Sequence, residues 1–324
     1  MFSQASVVSR TDCAIRRGDW WGDTPTPLPI TPGVDAVGKL FSVDSDSQRR
    51  YNLNVGDRVL ALCSNRTGPP RGGNSRYLAI KPDQLVKVSD TVDPALAACL
   101  PETYLSAFQV LHLGQNAEER YQLGSLQGSS VLLVGKVISN EGRAMSELAR
   151  TAGANVFALC PKSHFSKIVT QGIHPLDTNS IEWWEEVSGT IDCIACIDED
   201  VATIHYKLLK PAGRVVQIKS DTCGHGHPPP KIVARKQRGK QKQPEDITTV
   251  YDVFEEWETN TECCKADLQF LILLLQQEKL HPRLLDRVPL NKVENAHELL
   301  IYKRLNGFIV CEPWLVAKSR AVLL

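Results

Sequence analysis

The spacing of hydrophobic and polar positions changes near residue 100. Before that point Pro and Gly interrupt the chain every few residues, and only short β-rich runs lie between them. This pattern is typical of a small, irregular, mostly β domain. The predicted strands are Val34–Val43, Arg58–Leu62, Tyr77–Ile80 and Leu85–Val88.

Between Ser129 and Ile218 strand and helix patterns alternate. Repeated βα units of this length build a parallel, doubly wound sheet. The predicted strands are Ser130–Val134, Asn155–Leu159, Ile191–Ile197 and Arg214–Ile218. The predicted helices are Glu141–Ala152, Ser163–Gln171, Ile181–Val187 and Ala202–Leu209.

The alternation stops after residue 220. A segment rich in Gly, His and Pro is followed by a basic run, Lys231–Lys242, and an acidic stretch, Glu245–Glu258. We interpret residues 221–260 as an exposed charged insertion, because opposite charge blocks of this kind usually form solvated loops. The remaining chain predicts a helix, then a strand, a helix and a strand: Ala266–Glu278, Leu284–Val288, Val293–Tyr302 and Phe308–Cys311.

These patterns predict an α/β protein of two domains. Residues 1–105, completed by 281–324, form the mostly β domain, and residues 106–280 form the doubly wound domain with the insertion. The 324 residues suffice for two cores of ordinary size.

The amino-acid composition limits the kinds of binding partner and the cellular location that we expect for this protein. Lys plus Arg and Asp plus Glu both number 37, so no net charge favours nucleic acid or anionic lipid, and we expect a small-molecule partner. The ten scattered cysteines indicate reduced thiols and a cytoplasmic location. The longest apolar run, Leu268–Leu275, is far shorter than the ~20 residues of a membrane span, so no membrane association is expected.

Five short motifs occur in an order that resembles the zinc-free quinone oxidoreductase-like branch of the medium-chain dehydrogenase/reductase superfamily. Individually they mostly shape turns, but their order and spacing together indicate the fold. The motifs are Pro32–Gly38, Val55–Val59, Gly72–Tyr77, Leu100–Phe108 and Leu208–Arg214.

The resemblance implies a Rossmann-type domain joined to a GroES-like catalytic domain, and a homodimer with a contact near Arg214–Ile218. Family members carry about two dozen residues of β-structure ahead of the segment matched by Ala5–Gly18. We therefore expect a first domain shortened at its amino terminus, and an organellar location if the true start lies upstream.

Zinc relatives in the superfamily bind a catalytic zinc through a Cys, a Gly-His-Glu motif and a further Cys. Here Ser9 stands at the first Cys position, and Val34–Asp35 replaces His-Glu. We predict no zinc. A metal on Cys223–His227 is the weaker interpretation of that Gly-rich loop.

The predicted dinucleotide loop departs from the family's Gly-x-x-Gly-x-x-Gly pattern. Between the first strand and helix only Gly135 and Gly142 remain, and Ile138 and Ser139 occupy positions where glycines admit the pyrophosphate. In one interpretation Ser139, Asn140 and backbone N–H groups still hold phosphate. In the other, the loop blocks it and the protein is a catalytically inactive binding or scaffold relative.

The end of the second predicted strand indicates the preferred cofactor. No Asp or Glu occurs from Leu148 to Leu176, where an NAD enzyme would place a carboxylate on the ribose. Lys162, Ser163 and His164 instead offer cationic and hydroxyl groups for a 2′-phosphate. We therefore expect NADPH, with Ile218 also lining its site.

The resemblance implies hydride transfer from NADPH to a quinone, an enone or a similar conjugated carbonyl without zinc, because such acceptors take hydride without a Lewis acid. The implied catalytic candidates are Ser9 and Asp12, which match the family's Asn-Pro-x-Asp segment, and Tyr104. In one interpretation Tyr104 donates a proton to the substrate. In the alternative, Tyr104 is a partly buried residue with a structural role only.

Overall fold

The structure is a computed structural model that describes residues 1–19, 28–63, 71–180, 182–197, 206–218, 248–303 and 305–316. The chain divides into two compact units. Among the described residues, the first unit contains Met1–Leu105 and the segment from Val253 onward. The second unit begins at Ser106 and includes the described residues up to Asp252.

The first unit is built on a six-stranded sheet with the order β11-β12-β1-β2-β3-β4. Its neighbours are antiparallel except for the parallel pair β11 and β12. The strands are β1 (Phe2–Val8), β2 (Asp35–Lys39), β3 (Arg58–Leu62), β4 (Val86–Lys87), β11 (Leu284–Val288) and β12 (Phe308–Cys311). The helices are α1 (Arg10–Arg17), α2 (Ser45–Tyr51), α3 (Pro94–Ala98), α9 (Val253–Thr259), α10 (Thr261–Gln276) and α11 (Val293–Tyr302).

The second unit contains a parallel sheet with the order β10-β9-β8-β5-β6-β7. Its strands are β5 (Ser130–Gly135), β6 (Asn155–Cys160), β7 (His174–Asp177), β8 (Ile191–Ile197), β9 (Leu209–Ile218) and β10 (Thr248–Tyr251). Its helices are α4 (Leu105–Leu111), α5 (Ala117–Arg120), α6 (Asn140–Thr151), α7 (Phe165–Val169) and α8 (Trp183–Val187). The strand order is that of a Rossmann-type sheet, which confirms the predicted fold class.

The observed boundary between the units differs from the predicted one at residue 280. Residues 253–280 lie in the first unit, where α10 packs against β4 and the turn at Leu100–Tyr104. Most apolar residues of α10 are buried, and Leu268 and Leu271 are fully buried. Helical periodicity predicts that such residues are buried but does not specify the sheet they pack on.

The predicted insertion at 221–260 is also shorter than expected. Residues 221–247, with the basic run and Cys223–His227, lie outside the described residues. Residues 248–259 form β10 and α9 and bury Tyr251, Phe254 and Trp257. The acidic residues of this stretch predict exposure to solvent. The apolar residues between them were therefore not recognised as part of the core.

Several element predictions need correction. The central strand β1 was not predicted, and β7 was missed because His174 and Pro175 disfavour a strand prediction. Tyr77–Ile80 forms only a bridge from Tyr77 to Phe2 instead of the predicted strand. Of the helix predicted at 202–209, Tyr206–Leu208 forms a 3-10 turn and Leu209 already belongs to β9, while 202–205 lie outside the described residues.

We predict that Trp257→Ala lowers the free energy of unfolding by about 3–5 kcal/mol, because it removes the largest of the fully buried side chains. Chemical denaturation followed by circular dichroism measures the loss. Tyr302→Ala is the matched control, since Tyr302 is 84% exposed in the same unit and should change stability little. Equal effects of the two substitutions would contradict the placement of α9 in the core.

Candidate functional site

The predicted catalytic residues Ser9 and Asp12 form the amino-terminal cap of α1. The Ser9 hydroxyl accepts a hydrogen bond from the Asp12 N–H at 3.1 Å, and the Asp12 carboxylate accepts one from the Ser9 N–H at 3.0 Å. This reciprocal pair is a capping box, with Asp in the position usually taken by Glu or Gln. The two side chains therefore stabilise the start of α1.

Asp12 also links α1 to the loop before β2. Its second carboxylate oxygen accepts hydrogen bonds from the Gly33 N–H at 2.6 Å and the Val34 N–H at 3.2 Å. Asp12 is completely buried, and this burial raises the pKa of its carboxyl to about 6 despite the three backbone N–H donors. Burial of a carboxylate favours its neutral form, whereas the donors favour the charged form. Here burial has the larger effect.

A π-helical turn at Leu100–Tyr104 brings further polar groups to the same part of the first unit. The Thr11 hydroxyl of α1 donates a hydrogen bond to the Glu102 carboxylate, and the Glu102 N–H donates to Asp35 at 2.9 Å. Single π-helical turns occur frequently at functional sites. Thr11, Asp35 and Glu102 were not among the predicted site residues, because their relation depends on contacts between distant segments.

Tyr104 ends this turn and is almost fully buried, at 1% exposure. Its ring stacks on Phe308 of β12, with centroids 6.5 Å apart. The structure thus gives Ser9, Asp12 and Tyr104 positions in one unit and packing or capping roles there. Their contact with a substrate stays a prediction.

In the second unit the predicted dinucleotide loop joins β5 to α6. Gly135 ends β5 with a φ of +90°, a conformation that residues with a side chain rarely adopt. At Gly142 a Cβ atom would lie 2.3 Å from the carbonyl oxygen of Val137, so only glycine lets the loop pack this closely on α6. These two glycines keep the shape of the loop.

The amino terminus of α6 presents donors suited to an anion. Ser139 caps the helix and accepts a hydrogen bond from the Gly142 N–H at 3.3 Å. Among the described residues, the N–H groups of Ile138 and Glu141 have no hydrogen-bond partner. Unpaired N–H groups and the helix dipole together favour phosphate. Asn140, also predicted to bind the cofactor, is the first residue of this helix.

Parallel strand register places the other predicted cofactor residues along one edge of the sheet. Gly135 pairs with Ile197 at the end of β8, and Ile197 pairs with Ile218 at the end of β9. On the other side Leu133 pairs with Ala158, which brings the end of β5 level with Cys160. In open parallel sheets, ligands bind outside the carboxyl edge where the strand order reverses, and here that reversal lies between β5 and β8.

Lys162, Ser163 and His164 form a 3-10 turn directly after β6. The turn follows the carboxyl end of the strand, which is where the 2′-phosphate of NADP would be read. Lys162 is 79% exposed and its ammonium lies 3.5 Å from the carboxylate of Asp177, at the end of β7. Asp177 lies one residue beyond the stretch Leu148–Leu176 that lacks Asp and Glu, and β7 was not predicted, so the sequence pattern did not place this carboxylate beside Lys162.

The residues of this edge fit a dinucleotide in outline. The turn at Gly135, the close packing at Gly142 and the unpaired N–H of Glu141 suit a bound phosphate. Ile138 and Ser139, however, carry side chains where the family pattern has glycines.

In the part of the chain that the structure describes, no group of three or more His, Cys, Asp or Glu side chains is placed to hold a metal ion. Within the same ranges, every helix is too short or too polar to cross a bilayer.

Comparison with known proteins gives consistent similarities. Residues 3–90 match the alcohol dehydrogenase GroES-like domain family. The chain is 23% identical over 319 residues to the chloroplast envelope quinone oxidoreductase homolog of Arabidopsis thaliana, covering 96% of this chain and 88% of that relative. It is 26% identical over 220 residues to the human synaptic vesicle membrane protein VAT-1 homolog, covering 66% of this chain. That match spans about half of the human relative, 51%.

Among solved structures, the quinone oxidoreductase from Coxiella burnetii is similar with a TM-score of 0.69 and 20% identity. The similarity covers 96% of this chain and 88% of that one. At this identity the likeness establishes the fold, and it does not transfer an activity.

We predict that the stability difference between the wild type and Asp12→Asn depends on pH. The folded-state pKa of Asp12, about 6, is raised above its ordinary 3.8, so the folded protein binds the proton more tightly than the unfolded chain. The wild type should gain roughly 2–3 kcal/mol relative to the variant as pH falls from about 7 to about 4.

Denaturation curves at several pH values measure this difference, and any histidine titration shared by both proteins cancels from it. The difference should become constant above about pH 7 and below about pH 3, beyond the folded pKa of about 6 and the ordinary value of 3.8. A difference that shrinks as pH falls would contradict the assigned direction of the pKa shift.

Proposed function

We propose that this chain is an NADPH-dependent reductase of conjugated carbonyl compounds, in the quinone oxidoreductase-like branch of the medium-chain dehydrogenase/reductase superfamily. Its substrates in this proposal are quinones, enones or related acceptors. The Arabidopsis thaliana relative, whose similarity covers 96% of this chain, is named a quinone oxidoreductase homolog, and this supports the proposed class of substrate. The observation that carries the proposal is the reversal of strand order between β5 and β8, with the start of α6 at the carboxyl edge of the same sheet.

The strand order of that unit supports dinucleotide binding. The connections reverse direction between β5 and β8, and the amino terminus of α6 follows β5 at this point. In open parallel sheets a ligand binds outside the carboxyl ends of the strands at such a reversal. Gly135 and Gly142 retain the backbone shape that this arrangement needs.

The residues that would hold the cofactor divide into two groups. Ser139, Asn140 and the N–H of Glu141 would hold the pyrophosphate at the start of α6, where the helix dipole stabilises negative charge. Lys162, Ser163 and His164 would hold the 2′-phosphate after β6. When bound, NADPH supplies the hydride, and a conjugated acceptor can take it without a Lewis acid.

The proposed acceptor-side residues all lie in the first unit. We assign Asp12 a positioning role, because its carboxylate is buried and fixes α1 to the Gly33–Val34 backbone. Ser9 and Tyr104 remain the proposed contacts on this side, with Tyr104 a candidate proton donor.

The competing proposal is a binding relative without catalysis. It is favoured by the side chains of Ile138 and Ser139, which stand where the family has glycines. A Cβ atom at such a position keeps phosphate from approaching the backbone as closely as it does beside glycine.

We expect the purified protein to bind NADPH with micromolar affinity and NADH more weakly. Titration followed by nicotinamide fluorescence measures both affinities, and absorbance at 340 nm then follows oxidation of NADPH by added quinones and enones. Lys162→Met should weaken NADPH binding and leave NADH binding unchanged, because it removes a cation that only the 2′-phosphate requires.

If a folded preparation binds neither nucleotide, the reductase proposal fails and the scaffold alternative stands. Circular dichroism and thermal unfolding establish that the preparation is folded. Binding without oxidation of NADPH by any quinone or enone would reject the proposed substrate class alone.

A further inference from the structure

The carboxyl edge of the second unit carries a carboxylate beside the group expected to select NADPH. Asp177 is the last residue of β7 and pairs in register with Cys160, the last residue of β6. Lys162 follows two residues later, and its ammonium lies 3.5 Å from the Asp177 carboxylate. Two neighbouring parallel strands thus bring opposite charges to one corner of the sheet.

The side chains of Lys162 and Asp177 differ in solvent exposure. The Asp177 side chain is 12% exposed, and its carboxylate accepts a hydrogen bond from the Asn179 N–H at 3.0 Å. The Lys162 side chain is 79% exposed, and it has four rotatable bonds. Because the ammonium of the pair is mostly exposed and the two charged groups are 3.5 Å apart, the ion pair is weak, and Lys162 can turn away from Asp177 when another anion competes for it.

Asp177 also influences the end of β6 electrostatically. The pKa of the Cys160 thiol is raised to about 11, first by burial and then by the negative charge of Asp177. The carboxylate therefore acts on the strand end from which the 2′-phosphate site begins.

We propose that Asp177 is a specificity-determining residue that limits the preference of this protein for NADPH over NADH. Its carboxylate holds the Lys162 ammonium and repels a 2′-phosphate brought to the same corner. An unphosphorylated ribose carries no charge for it to repel. This inference rests on the proposed function, because it concerns the nucleotide site assigned there.

The probes are adenosine 2′,5′-bisphosphate and 5′-AMP, which differ only in the 2′-phosphate and need no catalysis. Calorimetric titration gives the affinity of each for the wild type and for Asp177→Asn, which keeps an oxygen for the Asn179 N–H. We expect the variant to bind the bisphosphate about three- to tenfold more tightly, with 5′-AMP unchanged, and the gain to shrink at high salt.

A matched control comes from the other edge of the same sheet. Asp192, near the start of β8, pairs with Lys210 at 2.7 Å, so Asp192→Asn also breaks a Lys–Asp pair. That substitution should leave the affinities of both probes unchanged. Asp177→Ser is a second variant, since it also removes the charge and keeps a hydroxyl acceptor, should Asp177→Asn fail to fold.

The outcomes separate the two proposals. A folded wild type that binds neither probe rejects the proposed nucleotide site, and the present inference with it. A wild type that binds the bisphosphate, with an Asp177 variant that binds it equally or less tightly, overturns the inference and leaves the nucleotide site standing. Equal gains in the Asp177 and Asp192 variants would also overturn it, because the effect would then be one of net charge.

Discussion

β5 is hydrogen-bonded to β6 on one side and to β8 on the other, and this pairing fixes where the second unit can hold a nucleotide. The register aligns Gly135 with Ile197 and brings Cys160 to the same edge. Each feature of the proposed cofactor site follows a strand that ends there. Because parallel strands need crossover connections, the loop to α6 must leave the sheet at this edge, and its N–H groups point where a phosphate would bind.

The first unit depends on a different constraint, the satisfaction of buried polar groups. Asp12 has no access to solvent, so its charged form needs donors, and three backbone N–H groups from two segments supply them. This requirement ties α1 to the start of β2. Glu102 and Asp35 extend the same network to the π-helical turn. The positions of Ser9 and Asp12 are therefore set by these hydrogen bonds, whereas Tyr104 is buried and packs on Phe308.

Features that depend on short-range sequence patterns could be predicted from the sequence alone. The alternation of β5, α6 and β6 follows from periodicity, and Gly135 and Gly142 are recognisable because the loop needs them. Features that arise between distant segments were not predictable in this way. The role of Asp12 as a link to the loop before β2 became visible only when Gly33 and Val34 were placed beside it, and Trp257 lay within a stretch whose charges predicted exposure. In both cases the decisive partner is far away along the chain.

The contact between Asp177 and Lys162 is another feature that sequence patterns did not predict, and it bears on the expected preference for NADPH. The preference for NADPH was inferred from a stretch without Asp or Glu that ends at Leu176, and the sheet places the next residue along the chain beside Lys162. Charge at a binding site is determined by proximity in space, and parallel pairing joins strand ends separated by a whole βα unit. In the proposed site, cofactor choice would thus depend on two strand ends together: Lys162 after β6 supplies a cation, and Asp177 at the end of β7 supplies a negative charge that opposes it.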